Sequence, residues 1–196
     1  MSQLAQCRIR RHDIGKRAIF VVDGLFDEQF IRMVHHYMSR LQFALSGYDT
    51  PQTKHLLHWN HEFDLENLPS IPLIPELVSR TVAVSTELFS SSRLQLQRMH
   101  CNAQNYGDMQ NVHTDLTPGV TALYFANPLW ETDWMGETIF YNDDNEPLYA
   151  VIPKPGRLLI FTGDIMHRGG VPSRQCLEPR LSVAFKFVIE SGPAVG

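Results

Sequence analysis

Residues 153–168 read PKPGRLLIFTGDIMHR, and their order decides the fold class. A Pro155-Gly156 turn opens an apolar strand at 158–161, a Gly163-Asp164 turn closes it, and His167 follows at once. The next extended stretch, 179–188, reads PRLSVAFKFV. Strand side chains alternate, so Leu181, Val183, Phe185 and Phe187 share a face suited to a core, while Arg180, Ser182 and Ala184 share the other. An arginine followed by small residues on an inward face makes a cationic floor with space above it, suited to a dicarboxylate.

Working outward, turn signals separate eight extended segments, at 93–101, 112–115, 120–126, 137–142, 148–152, 157–161, 166–169 and 180–189. Two helices precede them. Asp27 caps the first, whose stripe is Phe30, Ile31, Val34, Met38, Leu41 and Leu45; Pro75 opens the second, at 76–90. A strand is expected at 18–26, residues 1–16 read as loose or as an edge extension, and 47–75 reads as irregular chain around the mouth of the core. The fold class is therefore mainly β with N-terminal helices: a double-stranded β-helix, or jelly roll, with the helices packed on one sheet. Residues 1–92 support the core and 93–196 form it, within one compact domain, because 196 residues with 43% apolar content suit a single core.

The chemistry begins at His113-Thr-Asp115. If 111–115 is extended, positions 113 and 115 point the same way and bring an imidazole and a carboxylate to one point. His167, from a neighbouring strand, completes two nitrogens and one oxygen on one face of a metal, the facial arrangement that leaves the opposite positions open. His-x-Asp alone is common; the segments around His167 and Arg180 raise its weight.

Together, His113-Thr-Asp115, Gly136-Glu-Thr-Ile-Phe140, Pro155-Gly-Arg-Leu-Leu-Ile-Phe161, His167 and Arg180-Leu-Ser182 resemble the Fe(II)/2-oxoglutarate-dependent oxygenase superfamily, nearest to its prolyl-hydroxylase-like branch. The resemblance implies Fe(II) held by His113, Asp115 and His167, with 2-oxoglutarate and O2 as co-substrates. It implies that Arg180 binds the distal carboxylate of 2-oxoglutarate, with Ser182 adding a hydroxyl; a planar guanidinium can pair two N–H groups with two carboxylate oxygens. It further implies a dioxygenase releasing succinate and CO2, most simply a hydroxylase. Two departures stand out. The connection from Gly169 to Pro179 is longer than the family's, which makes Arg168 and Arg174 rivals of Arg180. Phe125 stands where that branch often has a tyrosine touching the co-substrate, and Tyr124 faces the other way. His100 and Arg98 are the candidates for that contact.

The substrate expected is a small molecule, or an amino-acid-like one, with a peptidyl residue as the alternative. A non-catalytic metal-binding protein of cupin type, in which Arg180 is an ordinary ion-pair residue, is the alternative of another class. Asn105 and Tyr106, with Asp108 and Gln110, lie in the loop before His113 that commonly reaches substrate in related folds. Trp130 and Trp134 read either as a pocket wall or lid, or as packing of a long loop. His55, His58 and His61 read first as solvated histidines, then as a substrate-facing loop, and last as a second metal site.

The net charge of -4, without a dense run of Lys or Arg, argues against a nucleic-acid partner. The local group Arg8, Arg10, Arg11, Lys16 and Arg17 reads as a solvated arm. No stretch is long and apolar enough to cross a bilayer, and the first residues lack the apolar core of a signal peptide, so a cytoplasmic location is expected. Cys7, Cys101 and Cys176 are odd in number and widely spaced, as expected of reduced thiols.

Overall fold

A computed structural model describes residues 3–89 and 93–190. The strands are β1 (Arg8–Ile14), β2 (Arg17–Asp23), β3 (Ala44–Gly47), β4 (His58–Glu62), β5 (Arg93–Gln104), β6 (Gly119–Phe125), β7 (Thr138–Tyr141), β8 (Pro147–Val151), β9 (Leu158–Thr162), β10 (His167–Gly169) and β11 (Arg180–Glu190); the helices are α1 (Glu28–Met38) and α2 (Ile74–Leu88). An eight-stranded antiparallel sheet runs β1-β2-β9-β6-β11-β5-β4-β3, and a three-stranded sheet, β10-β7-β8, faces it. This is the expected double-stranded β-helix, with four strands from the first 62 residues joined to its larger sheet.

The alternation of β11 divides the molecule. Leu181, Val183, Phe185 and Phe187 point to the outer core, where they meet Phe30, Val34 and Met38 of α1 and Ile74, Leu77 and Val84 of α2. Both helices thus cover the outer face of the larger sheet. Between the sheets lies a second apolar cluster, including Ile19, Val21, Phe125, Phe140, Leu159 and Phe161. It fills one part of the sandwich and leaves the β11, β5 and β4 part to polar side chains.

Several expectations are corrected here. Asp27 does cap α1, its carboxylate accepting from the Phe30 N–H at 2.8 Å, but the helix ends at Met38. Leu41 and Leu45 are off it, and Leu45 lies exposed on β3, because the chain turns back to add β3 and β4 to the sheet edge. Residues 47–75 are consequently less irregular than expected. The final residue of the expected second helix, Ser90, lies outside the described residues. Residues 8–14 are the edge extension, one of the two expected readings, and the arginines there are not on a loose solvated arm: β1 pairs with β2 at the edge of the sheet, and its neighbourhood holds the ion pairs Arg10–Asp23, Arg11–Asp13 and Arg17–Asp143. No helix among the described residues is long and apolar enough to cross a membrane.

Candidate active site

Residues 112–115 form an isolated bridge instead of a full strand, yet their alternation holds. His113 exchanges two backbone hydrogen bonds with His167, at 3.0 and 2.9 Å, and the Asp115 N–H donates to the Gly163 carbonyl at 2.7 Å. Val112, Thr114 and Leu116 consequently face outward, while His113 and Asp115 turn inward beside His167. One ligand atom from each of the three lies within 4.8 Å of the other two.

Their surroundings prepare them as ligands. The Nδ1 atoms of His113 and His167 each lie 2.9 Å from a backbone carbonyl, that of Asn111 and that of Ile165. A carbonyl only accepts, so each Nδ1 carries the proton and each Nε2 presents a lone pair. Burial pulls the His167 pKa down to about 4, against the opposing pull of Asp115, so this ring is neutral at pH 7. Burial alone would raise the Asp115 carboxyl; the Lys186 ammonium, with His167 and His113, overrides it and holds the group well below the carboxylate range. Asp115 Oδ2 accepts from Thr121 Oγ1 at 2.6 Å and Lys186 Nζ at 2.5 Å, leaving Oδ1 without a protein donor. Two imidazole lone pairs and one carboxylate oxygen fit a first-row divalent metal with open positions.

The same cavity, of about 90 Å³, contains Arg180. Its side chain is 1% exposed and bonded to neutral groups only: Gln104 Oε1 at 2.7 Å, Thr138 Oγ1 at 3.1 Å and Ser182 Oγ at 3.2 Å, with Nε unpartnered. Burial lowers its pKa to about 10, which keeps it charged at pH 7. The guanidinium stands over the Phe125 ring at 5.1 Å. A buried cation with no carboxylate partner is costly unless an anion joins it. Gly136 lets the backbone pass close by: its φ is +76°, and a Cβ there would lie 3.0 Å from Arg180 Cδ.

Of the other residues singled out in the sequence, Ser182, His100 and Arg98 line the cavity, whereas Asn105, Tyr106, Trp130 and Trp134 do not. Tyr106 is exposed, and Asn105 is tied to Asp108. Trp130 donates to the Met135 carbonyl at 2.9 Å and packs beside Gly136 behind Arg180, edge-on to Trp134, so neither forms a lid over the triad. Arg168 stacks over Tyr141 and Arg174 is exposed; neither lines the cavity. Tyr124 faces the outer core, its hydroxyl unpartnered. Among the three clustered histidines, His58 is buried and lines the cavity, His61 meets the Gln42 carbonyl, and His55 is exposed; they form no joint metal site.

The sequence reading missed Asp49, Gln104, Thr121, Thr138 and Lys186, all of which line the cavity or touch its charged groups. Two were within reach of period two. Lys186 continues the series from Arg180, and Gln104 ends the β5 series Arg98, His100, Asn102, each paired across to β11.

Two imidazoles and a carboxylate, set in a double-stranded β-helix beside a buried arginine, form a group that could hold a metal ion. The family model described as the 2OG-Fe(II) oxygenase superfamily matches residues 96–187, a stretch that contains His113, Asp115, His167 and Arg180, and over that stretch the chain is similar to enzymes using Fe(II), 2-oxoglutarate and O2. Solved structures share the fold at low identity. A prolyl-4-hydroxylase from Pseudomonas putida is 15% identical, with 96% of each chain covered and a TM-score of 0.64. HygX from Streptomyces hygroscopicus, solved with nickel and 2-oxoglutarate bound, is 16% identical over 90% of this chain and 83% of its own, with a TM-score of 0.64. A prolyl hydroxylase from Trichoplax adhaerens, in complex with a hypoxia inducible factor peptide fragment, is 15% identical over 87% and 83%, with a TM-score of 0.62. No curated protein matches the sequence.

Proposed function

We propose that this dioxygenase hydroxylates an unactivated C–H bond of a small metabolite or amino-acid-like substrate, with release of succinate and CO2. The observation that carries the reading is Arg180: a fully buried cation without a carboxylate, lining the same cavity as the His113, Asp115 and His167 triad. A cupin-type storage or sensing protein has no use for such a cation beside its metal.

Bound iron supplies O2 activation coupled to decarboxylation of 2-oxoglutarate. The chain's part is holding and orienting. His113 and His167 present Nε2 because backbone carbonyls hold their Nδ1 protons, and Asp115 presents Oδ1 because Thr121 and Lys186 occupy Oδ2. Arg180 receives the distal carboxylate of the co-substrate, its fork aligned by Gln104, Thr138 and Ser182. In this reading Gln104 and Thr138 stand in for the tyrosine hydroxyl missing at Phe125. His100 and Arg98 instead border the substrate side, since Arg98 is committed to Glu62 through two bonds of 2.7 Å. Phe161 and Leu123 close the apolar flank against water.

The small, polar cavity supports a small substrate. The fold shared with the peptide-bound Trichoplax adhaerens enzyme supports the second reading, a peptidyl residue. The three thiols, none paired in the fold, support a cytoplasmic setting. The test is succinate release from 2-oxoglutarate with ferrous iron across amino acids, small metabolites and peptides. No stimulation by any member, together with no iron-dependent background turnover, would overturn the reading.

A further inference from the structure

The charges lining the cavity balance, with two exceptions. Arg98 pairs with Glu62, and Lys186 with Asp115. Arg180 and Asp49 have no opposite charge within ion-pairing distance except the neutral-capable rings beside Asp49, at its His58 and His113 neighbours. The proposed function accounts for Arg180. It leaves Asp49 unused.

Asp49 is a built feature. Its side chain is 2% exposed. Oδ2 accepts from the Asn111 backbone N–H at 2.6 Å and from Asn111 Nδ2 at 3.3 Å, which fixes the carboxylate against the strand end that carries His113. Oδ1 takes no hydrogen bond: the nearest ring atoms, Nδ1 of His113 and of His58, stand 3.8 and 4.0 Å away. Three polar side chains that line the same cavity, each more than nine-tenths buried, carry atoms without partners: His58 Nδ1, 4.0 Å from Asp49 Oδ1, His100 Nδ1 and Asn102 Oδ1. Buried polar atoms are normally bonded, and three orphans lining one cavity with an uncompensated carboxylate mark a place that a ligand completes. Burial holds His58 and His100 below the ordinary histidine pKa, so these rings do not supply the missing positive charge at pH 7.

We propose that the β4/β5 side of the cavity is a subsite for a cationic substrate group, an ammonium, with Asp49 as its counter-ion, His58 beside it, and His100 and Asn102 as further polar lining. The assignment rests on the proposed function for its metal and co-substrate. Arg180 and Asp49 then divide the cavity by sign: the arginine takes the anion of the co-substrate, and the aspartate takes the cation of the substrate. A free amine and the side chain of a lysine within a peptide share this chemistry.

The test uses the full chain loaded with Mn(II) and 2-oxoglutarate, whose binding is measured first. Four probes follow: n-butylammonium, Nα-acetyl-lysine amide, n-butanol and butyrate. Relaxation of each probe's protons is compared with a Zn(II)-loaded control, because paramagnetic Mn(II) acts only on protons that visit its vicinity. The expected result is enhanced relaxation for at least one ammonium probe, several-fold above that for butanol and butyrate, and lost in Asp49→Asn that still binds Mn(II). Enhancement of n-butylammonium points to a free amine, and enhancement of the lysine derivative alone to a peptidyl side chain. The subsite is overturned if neither ammonium probe responds, if butanol or butyrate responds equally, or if the response survives in Asp49→Asn. Loss of Mn(II) binding in Asp49→Asn would also overturn it, by making Asp49 a support for His113. If the unmodified chain binds neither Mn(II) nor 2-oxoglutarate, the proposed function fails as well, and that first measurement separates the two failures.

Discussion

Lys186 Nζ lies 2.5 Å from Asp115 Oδ2, a buried ammonium resting on the one carboxylate of the His113, Asp115 and His167 cluster. Thr121 donates to the same oxygen. The pair sets the direction in which Asp115 can coordinate, because Oδ2 is committed and Oδ1 is not. Partners of metal ligands typically contribute a factor of about 10 to 100 in metal affinity or activity. Lys186→Met is expected to lose activity in that range, and Thr121→Val less, since the ammonium remains. Metal titration and succinate release check both; full retention in Lys186→Met would make the contact incidental.

His113→Ala and His167→Ala are expected to abolish iron-dependent turnover in folded protein. Asp115→Ala differs, because it strands the Lys186 cation in a buried place, at a cost of about 3 kcal/mol or more. Asp115→Asn keeps an oxygen for Lys186 and is the better probe of the metal site. Circular dichroism and urea midpoints, measured beside activity, separate lost chemistry from lost fold. A histidine variant with undiminished turnover would remove that residue from the triad.

Arg180→Ala removes the buried fork and is expected to weaken 2-oxoglutarate binding by on the order of 2–5 kcal/mol, roughly 30-fold to several thousand-fold. Arg180→Lys rescues partly, because an ammonium cannot serve Gln104, Thr138 and a carboxylate in one plane. Arg168→Ala and Arg174→Ala are expected to bind the co-substrate nearly as the parent does. Titration of 2-oxoglutarate into iron-loaded protein reads all four, and normal binding by Arg180→Ala would refute the assignment.

Gly136→Ala attacks the same pocket from behind. At φ +76° an alanine is strained by roughly 1–2 kcal/mol, and its Cβ would lie 3.0 Å from Arg180 Cδ and 3.2 Å from Trp130 Cζ2. A lower melting temperature together with about tenfold weaker 2-oxoglutarate binding is expected. An unchanged affinity would show that Arg180 accommodates the methyl group.

The metal-free protein should lose stability as pH falls from about 6.5 to 4. His167 has a folded-state pKa of about 4 against an ordinary 6.5, so the unfolded chain takes up the proton first and acid favours unfolding. At about 1.4 kcal/mol per pH unit, this one ring contributes on the order of 3 kcal/mol across that window. His100, also pushed well below its ordinary value by burial, acts in the same direction. Asp115 acts at lower pH, since its depressed carboxyl loses its contribution only below the ordinary carboxylate range. Urea midpoints at pH 7.5, 6 and 5 provide the check, and a flat or rising series would contradict it.

The sequence by itself determined whatever depends on local period and turn chemistry. Alternation placed His113 beside Asp115 and separated Arg180 and Ser182 from Leu181 and Val183, and Asp27 marked the start of α1; these are properties of a few consecutive residues. Tertiary structure decided what depends on pairing between distant segments. Whether 44–62 would be loop or sheet edge was settled by β5 offering an open ladder to β4, which also carried His58 into the cavity while leaving His61 outside it. Trp130 went behind Arg180, with Trp134 edge-on to it, because the 132–134 turn packs on the loop around Ser173. Lys186 met Asp115 across 71 residues and Asp49 met Asn111 across 62, contacts with no local signature. Their partners are chosen by the register and stacking of the sheets, and a charge takes its meaning from what folding places beside it.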